Sequence, residues 1–135
     1  QTIEITGTDV NNSVVSVYEN TWLNDSLDYT KEIVLLRVKN MDEEKAKKTV
    51  DYLESKIGSG YNYSFLFNRS NTFYCTDLVS RAIASSGINV NYDYLATTGS
   101  DLIVSPNTYI VYYRERIVKD GRVTFNVYYL GKESY

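Results

Sequence analysis

The sequence contains one cysteine, Cys75, and no histidine. Cys75 follows a loop rich in Tyr, Asn and Ser and opens an apolar-periodic run. Apolar residues at i+3, i+4, i+7 and i+8 predict one buried stripe of an α-helix: Leu78, Val79, Ala82 and Ile83. Gly87 is the predicted stop of this helix. Cys75 is therefore expected in the first helical turn, with its sulfur on or beside the buried stripe.

Two interpretations of this thiol are open. A helix N-terminus offers unpaired N–H groups and a positive dipole end, which stabilise the nucleophilic thiolate. A free cysteine is also among the most often buried residue types, and a buried thiol is usually inert. The position of Cys75 taken alone favours the inert thiol.

The residues around Cys75 favour the reactive thiol instead. The segments Ile57–Tyr61 (IGSGY) and Phe73–Val79 (FYCTDLV) resemble the NlpC/P60 superfamily of papain-like cysteine hydrolases. The resemblance is closer to its circularly permuted branch, the YiiX/YebB-like amidases, where a G-x-x-Y loop precedes a helix start Y-C-S-E-L-V. It is good over residues 57–87 and loose over most of the remaining chain.

The resemblance implies roles for four residues. Cys75 would be the nucleophile, and Glu4, in a strand similar to the family's I-E-A strand, would hold a histidine in one tautomer. Tyr61 matches the family's loop tyrosine and Tyr74 precedes the nucleophile, so either would contact substrate or donate to a developing oxyanion, beside the Cys75 N–H. Strand alternation alone makes Glu4 an ordinary exposed residue. In a chain with 14 tyrosines, a packed surface role for Tyr61 and Tyr74 is equally open.

The missing histidine is the strongest argument against a complete enzyme within this sequence. Cysteine hydrolases use an imidazole base because it titrates near neutral pH. In permuted relatives this histidine lies on a strand before the acidic one, which here falls upstream of Gln1. We therefore expect a preceding segment, or a separate N-terminal fragment, to carry the base. A pseudoenzyme without a histidine is the competing interpretation.

The composition of the chain excludes several classes of protein. The 135 residues predict a single domain, which the resemblance identifies as permuted NlpC/P60-like, and 43% apolar residues are typical of a folded globular chain. A net charge of −3 argues against nucleic-acid binding, and no apolar run approaches the ~18 residues of a membrane span. One cysteine excludes an internal disulfide and a thiolate zinc site, so we expect no metal and no cofactor. The compartment stays open, with a secreted or cell-envelope location favoured.

The local patterns predict an α+β fold, an antiparallel sheet packed by two main helices. The family resemblance implies that this fold is a circularly permuted papain-like domain that lacks its N-terminal strand. Alternation predicts five strands: Thr2–Thr6, Val14–Tyr18, Glu32–Lys39, Thr108–Lys119 and Arg122–Leu130. The third is apolar on both faces, which favours a central place in the sheet. Asp120-Gly121 predicts a two-residue hairpin turn. The segment Glu19–Thr30 is expected to be a loop or short helix anchored by Trp22 and Leu23.

One further segment has helical periodicity. Residues Asp42–Ile57 predict an amphipathic helix whose apolar stripe is Ala46, Val50, Leu53 and Ile57, with Gly58 as its stop. Its lysines are expected to form a solvated face. The segment Tyr92–Val104 fits no pattern well enough for an assignment.

Two functions from different classes fit these observations. The first is a thiol hydrolase that cleaves a small peptide, amide or acyl substrate through an acyl-enzyme, a cell-wall peptide being one such substrate. The second is a catalytically inactive module on the same fold, with a tyrosine-lined cleft for peptides or glycans. A histidine within about one strand upstream of Gln1 would favour the enzyme. An accidental resemblance predicts instead a fully buried Cys75 with no cleft beside it.

Overall fold

A computed structural model of the chain describes residues 1–7, 13–19, 30–65, 71–92 and 95–130. Within these residues the strands are β1 Thr2–Glu4, β2 Ser16–Tyr18, β3 Glu32–Val38, β4 Gly60–Tyr61, β5 Thr72–Phe73, β6 Thr108–Lys119 and β7 Arg122–Tyr129. The helices are α1 Glu43–Ser55, α2 Cys75–Ala84 and α3 Gly99–Val104. The mixed α+β class predicted from the sequence is confirmed. The predicted anchors Trp22 and Leu23 lie outside the described residues.

The strands of the described segments form three small sheets where the sequence predicted one. β1 pairs with β2 antiparallel, β6 lies between β3 and β7 in an antiparallel sheet, and β4 pairs with β5 in parallel. The parallel pair has only two residues in each strand, which is too short to produce a period-2 apolar pattern. The prediction of a single antiparallel sheet was therefore wrong.

The prediction that Glu32–Lys39 is a central strand was also wrong. In the described part of the chain β3 pairs only with β6 and lies at the sheet edge. Val34, Leu35 and Leu36 are half-buried. Apolar residues on both faces of a strand indicate that other elements pack above and below the sheet. They do not indicate whether the strand has a neighbour on one edge or on both.

The β6–β7 hairpin follows the sequence closely. β6 has the bounds predicted for it, and Lys119 pairs with Arg122 across the turn. The two turn residues, Asp120 and Gly121, have φ of 50° and 73°. Positive φ at both central residues is the geometry that matches the twist of the flanking strands.

Helix α1 is capped and charged as expected but packs differently. The Asp42 side chain accepts from the Lys45 N–H at 2.8 Å, and Asp51 and Glu44 pair with neighbouring lysines on the solvated face. Two residues of the predicted stripe, Val50 and Ile57, are exposed. Leu53 of the predicted stripe does pack against the core, together with Tyr52, which the stripe did not include.

The tightest apolar cluster lies beneath the start of α2. It consists of the buried side chains Ile5, Val15, Phe73 and Leu78, with Ile3, Tyr52, Leu53 and Tyr61 packed against it. Ile3 lies in β1 and Ile5 just after it, Val15 directly precedes β2, and the others come from the β4–β5 pair, α1 and α2. The cluster therefore joins all the elements that surround Cys75. Among the described residues, no helix combines the length and the apolar character that crossing a membrane requires.

Candidate active site

Helix α2 begins at Cys75, and this cysteine is exposed. Tyr74 is the N-cap residue in extended conformation, and its side chain makes no capping hydrogen bond. The first intrahelical bond runs from the Leu78 N–H to the Tyr74 carbonyl at 2.9 Å. The N–H groups at the start of the helix lack intrahelical partners and surround the thiol with donors.

The buried stripe of α2 differs from the predicted one at a single position. Leu78, Ala82 and Ile83 are buried as expected, but Val79 is 41% exposed. Val79 lies one turn after Cys75 and lines the same pocket. Its apolar side chain therefore belongs to the site and not to the core, a distinction that helical periodicity does not make.

A pocket of about 350 Å³ opens beside the thiol. Its lining comes from three segments: residues Ile3, Glu4, Ile5, Thr6 and Gly7, then Tyr61, then Cys75, Leu78 and Val79. Three of the four residues singled out from the sequence, Cys75, Glu4 and Tyr61, thus line one pocket. An exposed thiol beside a pocket is contrary to what an accidental resemblance predicts.

The short parallel pair carries Tyr61 to this pocket. Tyr61 of β4 is paired with Phe73 of β5, two residues before Cys75, and the Asn62 N–H donates to the Phe73 carbonyl at 2.8 Å. On its other side β4 is tied to the β2 segment, because the Val15 N–H donates to the Ser59 carbonyl at 2.8 Å. Backbone pairing therefore sets the distance between the tyrosine loop and the nucleophile helix.

The phenol of Tyr61 is kept in its protonated form. Burial raises the pKa of Tyr61, and the charge of a neighbouring Cys75 thiolate raises it further. The Tyr61 ring packs against Tyr63 with centroids 4.6 Å apart. A protonated phenol at the pocket wall is a hydrogen-bond donor throughout the neutral pH range.

Glu4 lies at the end of β1, half-buried, in the pocket wall. The hydroxyl of Thr2 is 3.5 Å from its Oε1. It is the charged residue among those that line the pocket. A carboxylate in this place can accept a hydrogen bond from an imidazole or from an ammonium group that enters the pocket.

Tyr74 faces away from the pocket lining. It is 7% exposed, and its ring centroid lies 5.3 Å from that of Phe65. Burial raises the pKa of Tyr74, the charge of Asp77 adds to this, and hydrogen bonding with the main chain and side chain of Thr97 opposes the rise. Its phenol therefore lies near Thr97.

An ion pair with little solvent exposure links the first and second turns of α2. The Arg81 Nη1 lies 3.3 Å from the Asp77 Oδ2, and the Arg81 guanidinium stacks 4.2 Å from the ring centroid of Phe73. Burial raises the pKa of Asp77, and Arg81 partly offsets this rise. The pair joins the helix to the core residue that precedes the nucleophile.

Gly7 is a site residue that sequence reasoning assigned only to a turn. A Cβ placed on Gly7 would lie 2.8 Å from Cζ of Tyr61, well inside van der Waals contact. The glycine thus lets the tyrosine ring lie against the chain that leaves β1. In the sequence, the only indication of this contact is a glycine directly after a strand. Such a glycine does not show which side chain packs against it.

Gly7→Ala is therefore expected to destabilise the chain by ~1–3 kcal/mol, since the methyl group overlaps the Tyr61 ring. Urea unfolding measures this. The same substitution in a Tyr61→Ala background should have little effect, because the clashing ring is gone. Gly99→Ala is the matched control, as no atom lies within 4 Å of a Cβ there. Equal losses in both backgrounds would show that the ring is not what Gly7 accommodates.

An exposed thiol on the first residue of a helix, in the wall of a pocket, can serve as the nucleophile of a thiol hydrolase. The family comparison agrees with this class. Residues 6–112 match the model of the permuted papain-like amidase enzymes, YaeF/YiiX, C92 family. The match covers more than half of the chain, so the chain belongs to this family.

The family match includes some of the predicted site residues and not others. It spans Tyr61, Tyr74 and Cys75 but begins after Glu4. Comparisons with curated proteins and with solved structures give no match. The general kind of enzyme predicted from the sequence, a permuted papain-like cysteine amidase, is thus supported by the family. The wider NlpC/P60 assignment and the individual residue roles stay predictions.

Proposed function

We propose that the chain carries the nucleophile of a thiol hydrolase, of the permuted NlpC/P60 kind, that cleaves an amide or acyl bond. The observation that carries this proposal is the exposed Cys75 at the N-terminus of α2, in a pocket shared with Glu4 and Tyr61. The Cys75 sulfur attacks the substrate carbonyl, and the leaving group departs with a proton. Water then hydrolyses the thioester, which releases the acid and restores the thiol.

The residues around the thiol divide the remaining tasks. The Cys75 N–H and the protonated Tyr61 phenol are the two donors proposed for the oxyanion that develops during attack. Glu4 accepts from an imidazole and holds it in the tautomer that can take the thiol proton. Tyr74, with its phenol on the side of Thr97, supports the start of α2, and we assign it no direct contact with the reacting atoms.

The imidazole comes from outside the sequence described here, which contains no histidine. Such an imidazole would have to reach Glu4 at the end of β1. Glu4 is half-buried at the end of this strand, so a neighbouring element could bring a ring within hydrogen-bond reach of it.

The pocket also limits the substrate. Its volume of about 350 Å³ and its apolar lining by Ile3, Ile5, Leu78 and Val79 suit a small acyl or peptide group. Peptides of the cell wall, other small amides and esters all offer such a group. A cell-wall peptide would agree with the secreted or cell-envelope location favoured from the sequence.

Chemical rescue tests the proposal directly. We expect free imidazole in the buffer to accelerate hydrolysis of a p-nitrophenyl ester by the chain, above the rate of imidazole alone, because it supplies the missing base. Mass spectrometry after rapid acid quench should show one acyl group on the Cys75 peptide. Cys75→Ala is the blank for both measurements. A rescue that is equal in wild type and Cys75→Ala would refute the hydrolase.

The second candidate is the inactive binding module, and the exposed rings of Tyr63 and Phe65 favour it. These rings form a row with Tyr61, with Tyr61 and Phe65 centroids 6.1 Å apart. Such a row suits peptides or glycans, because each ring offers apolar area. Saturable binding of a muropeptide, lost in Tyr63→Ala but retained in Cys75→Ala and without any acyl adduct, would favour this module over the hydrolase.

A further inference from the structure

Thr97 lies close to the chain on both sides of the nucleophile. The Thr76 hydroxyl donates to the Thr97 carbonyl at 2.6 Å. The Tyr74 phenol lies near Thr97, whose polar groups oppose the rise that burial causes in the pKa of Tyr74. Thr97 is 5% exposed, so the bond from Thr76 is shielded from competing water. Cys75 therefore lies between two residues that are both next to Thr97.

The position of Thr97 is itself fixed by helix α3. The next residue, Thr98, is the N-cap of this helix and forms a capping box with Asp101. The Asp101 Oδ2 accepts from the N–H and from the hydroxyl of Thr98 at 2.6 Å each. The far end of α3 is tied to the sheet by the hydroxyl of Thr108 on β6, which donates to the Leu102 carbonyl. Hydrogen bonds at both ends of α3, together with the peptide link from Thr98 to Thr97, thus connect β6 with the start of α2.

The start of α2 needs such a support. An N-cap side chain normally accepts from the N–H groups of the first turn, and Tyr74 makes no such bond. Helices without a capping side chain fray at the end where Cys75 lies. A nucleophile must be held close to its productive geometry, and displacements near 1 Å reduce rates by about 10²-fold. Contacts from outside the helix have to replace the missing cap.

We propose that Thr97 is a positioning residue which, through Thr76 and Tyr74, fixes the direction in which the Cys75 side chain points. The segment 95–98 and helix α3 then form a brace for the nucleophile helix. The role rests on the proposed function and deepens it, since it names what aligns the thiol with its pocket. Thr97 itself touches neither the substrate nor the sulfur in this role.

The single cysteine makes the test specific, because a thiol-reactive nitroxide labels only Cys75. Its electron paramagnetic resonance line shape reports how freely the side chain rotates. We expect Thr76→Val, which deletes the bond to the Thr97 carbonyl, to raise the label's mobility several-fold. Thr76→Ser keeps a hydroxyl and should restore the wild-type spectrum. Thr49→Val is the matched control, since it deletes a hydroxyl-to-carbonyl bond of 2.9 Å within α1.

A second variant pair covers the case in which Thr76→Val does not fold. Tyr74→Phe removes the phenol that lies near Thr97 and should mobilise the label as well. Tyr63→Phe removes a different phenol, bonded at 3.1 Å to the Ser13 hydroxyl, and should leave the spectrum unchanged. Unfolding is followed in parallel for every variant.

The outcomes separate the brace from the proposed function. A label as immobile in Thr76→Val or Tyr74→Phe as in wild type would overturn the brace, whatever happens to stability. Failure of imidazole to support hydrolysis would overturn the hydrolase without touching the label measurement. A positioning role for Thr97 predicts increased label mobility in Thr76→Val and Tyr74→Phe only. It also predicts wild-type mobility in Thr76→Ser.

Discussion

Cys75→Ala is expected to lower kcat/KM for imidazole-supported ester hydrolysis by at least ~10³-fold, because the thiol is the strongest nucleophile among the side chains of the pocket. Glu4 is a weak nucleophile, and the Tyr61 phenol is held in its protonated form. Any remaining rate would come from the oxyanion donors and from binding. The measurement is steady-state release of p-nitrophenol over a range of imidazole concentrations.

Cys75→Ser is the variant that separates chemistry from folding. Its hydroxyl is close in size to the thiol and should leave the helix start intact, yet serine is a far weaker nucleophile unless a base is aligned with it. We expect wild-type unfolding by urea for Cys75→Ser and Cys75→Ala, since the side chain is exposed. A Cys75→Ser variant with near wild-type turnover would place the chemistry on another residue.

Substitution of Glu4 is expected to lower turnover less than substitution of Cys75, and it tests the same mechanism. If it orients the base, Glu4→Gln should weaken turnover most when the base is an imidazole fixed by the protein, and less when the imidazole is free in solution. Glu4 lies outside the residues matched by the family model, so its assignment depends on the pocket geometry. The pocket brings it into one wall with Cys75, and this is the support for its role.

Local patterns predicted the parts of the fold that depend on local chemistry. The helix start at Cys75 follows from apolar spacing, and the Asp120-Gly121 turn follows from two residues that tolerate positive φ. Both features are determined by interactions between residues that are close in sequence. The helix at Cys75 and the loop tyrosine were also what made the family resemblance visible.

The parts that the sequence did not predict depend on contacts between distant segments. Helix α3 is only six residues long, and its capping box at Thr98 stands in a segment without apolar periodicity. The β4–β5 pair and the contact of Gly7 with Tyr61 join residues far apart in the chain. The bonds to Thr97 are likewise nonlocal. Propensity and periodicity describe neighbours in sequence, so they cannot identify these partners.

The second large effect is expected at Phe73, the core residue that lies two positions before the nucleophile. Its side chain is 0% exposed and packs with Ile5, Val15 and Leu78 beneath the pocket, and the Arg81 guanidinium stacks on its ring. Phe73→Ala leaves a cavity and removes this stacking, so we expect a loss of ~3–5 kcal/mol in the free energy of unfolding. Urea or thermal unfolding measures it.

Leu95→Ala is the matched control, since this large apolar side chain is 75% exposed and its loss should change stability by less than ~0.5 kcal/mol. Domains of this size are stable by only ~5–15 kcal/mol, so stability and not kinetics is the measurement for Phe73→Ala. Phe73→Leu retains most of the apolar volume and should lose less. Stability near wild type in Phe73→Ala would mean that the cluster under the pocket is not the main core.

Phe73→Leu also shows whether stability and chemistry depend on the same contacts. Phe73 meets Tyr61 through backbone pairing of β5 with β4, and this pairing does not need the aromatic ring. The Thr76–Thr97 bond likewise involves no atom of Phe73. We therefore expect Phe73→Leu to be less stable but to keep wild-type imidazole-supported turnover and an immobile label at Cys75. A variant that stays folded yet mobilises the label would show that the core beneath α2, and not only the brace at Thr97, aligns the nucleophile.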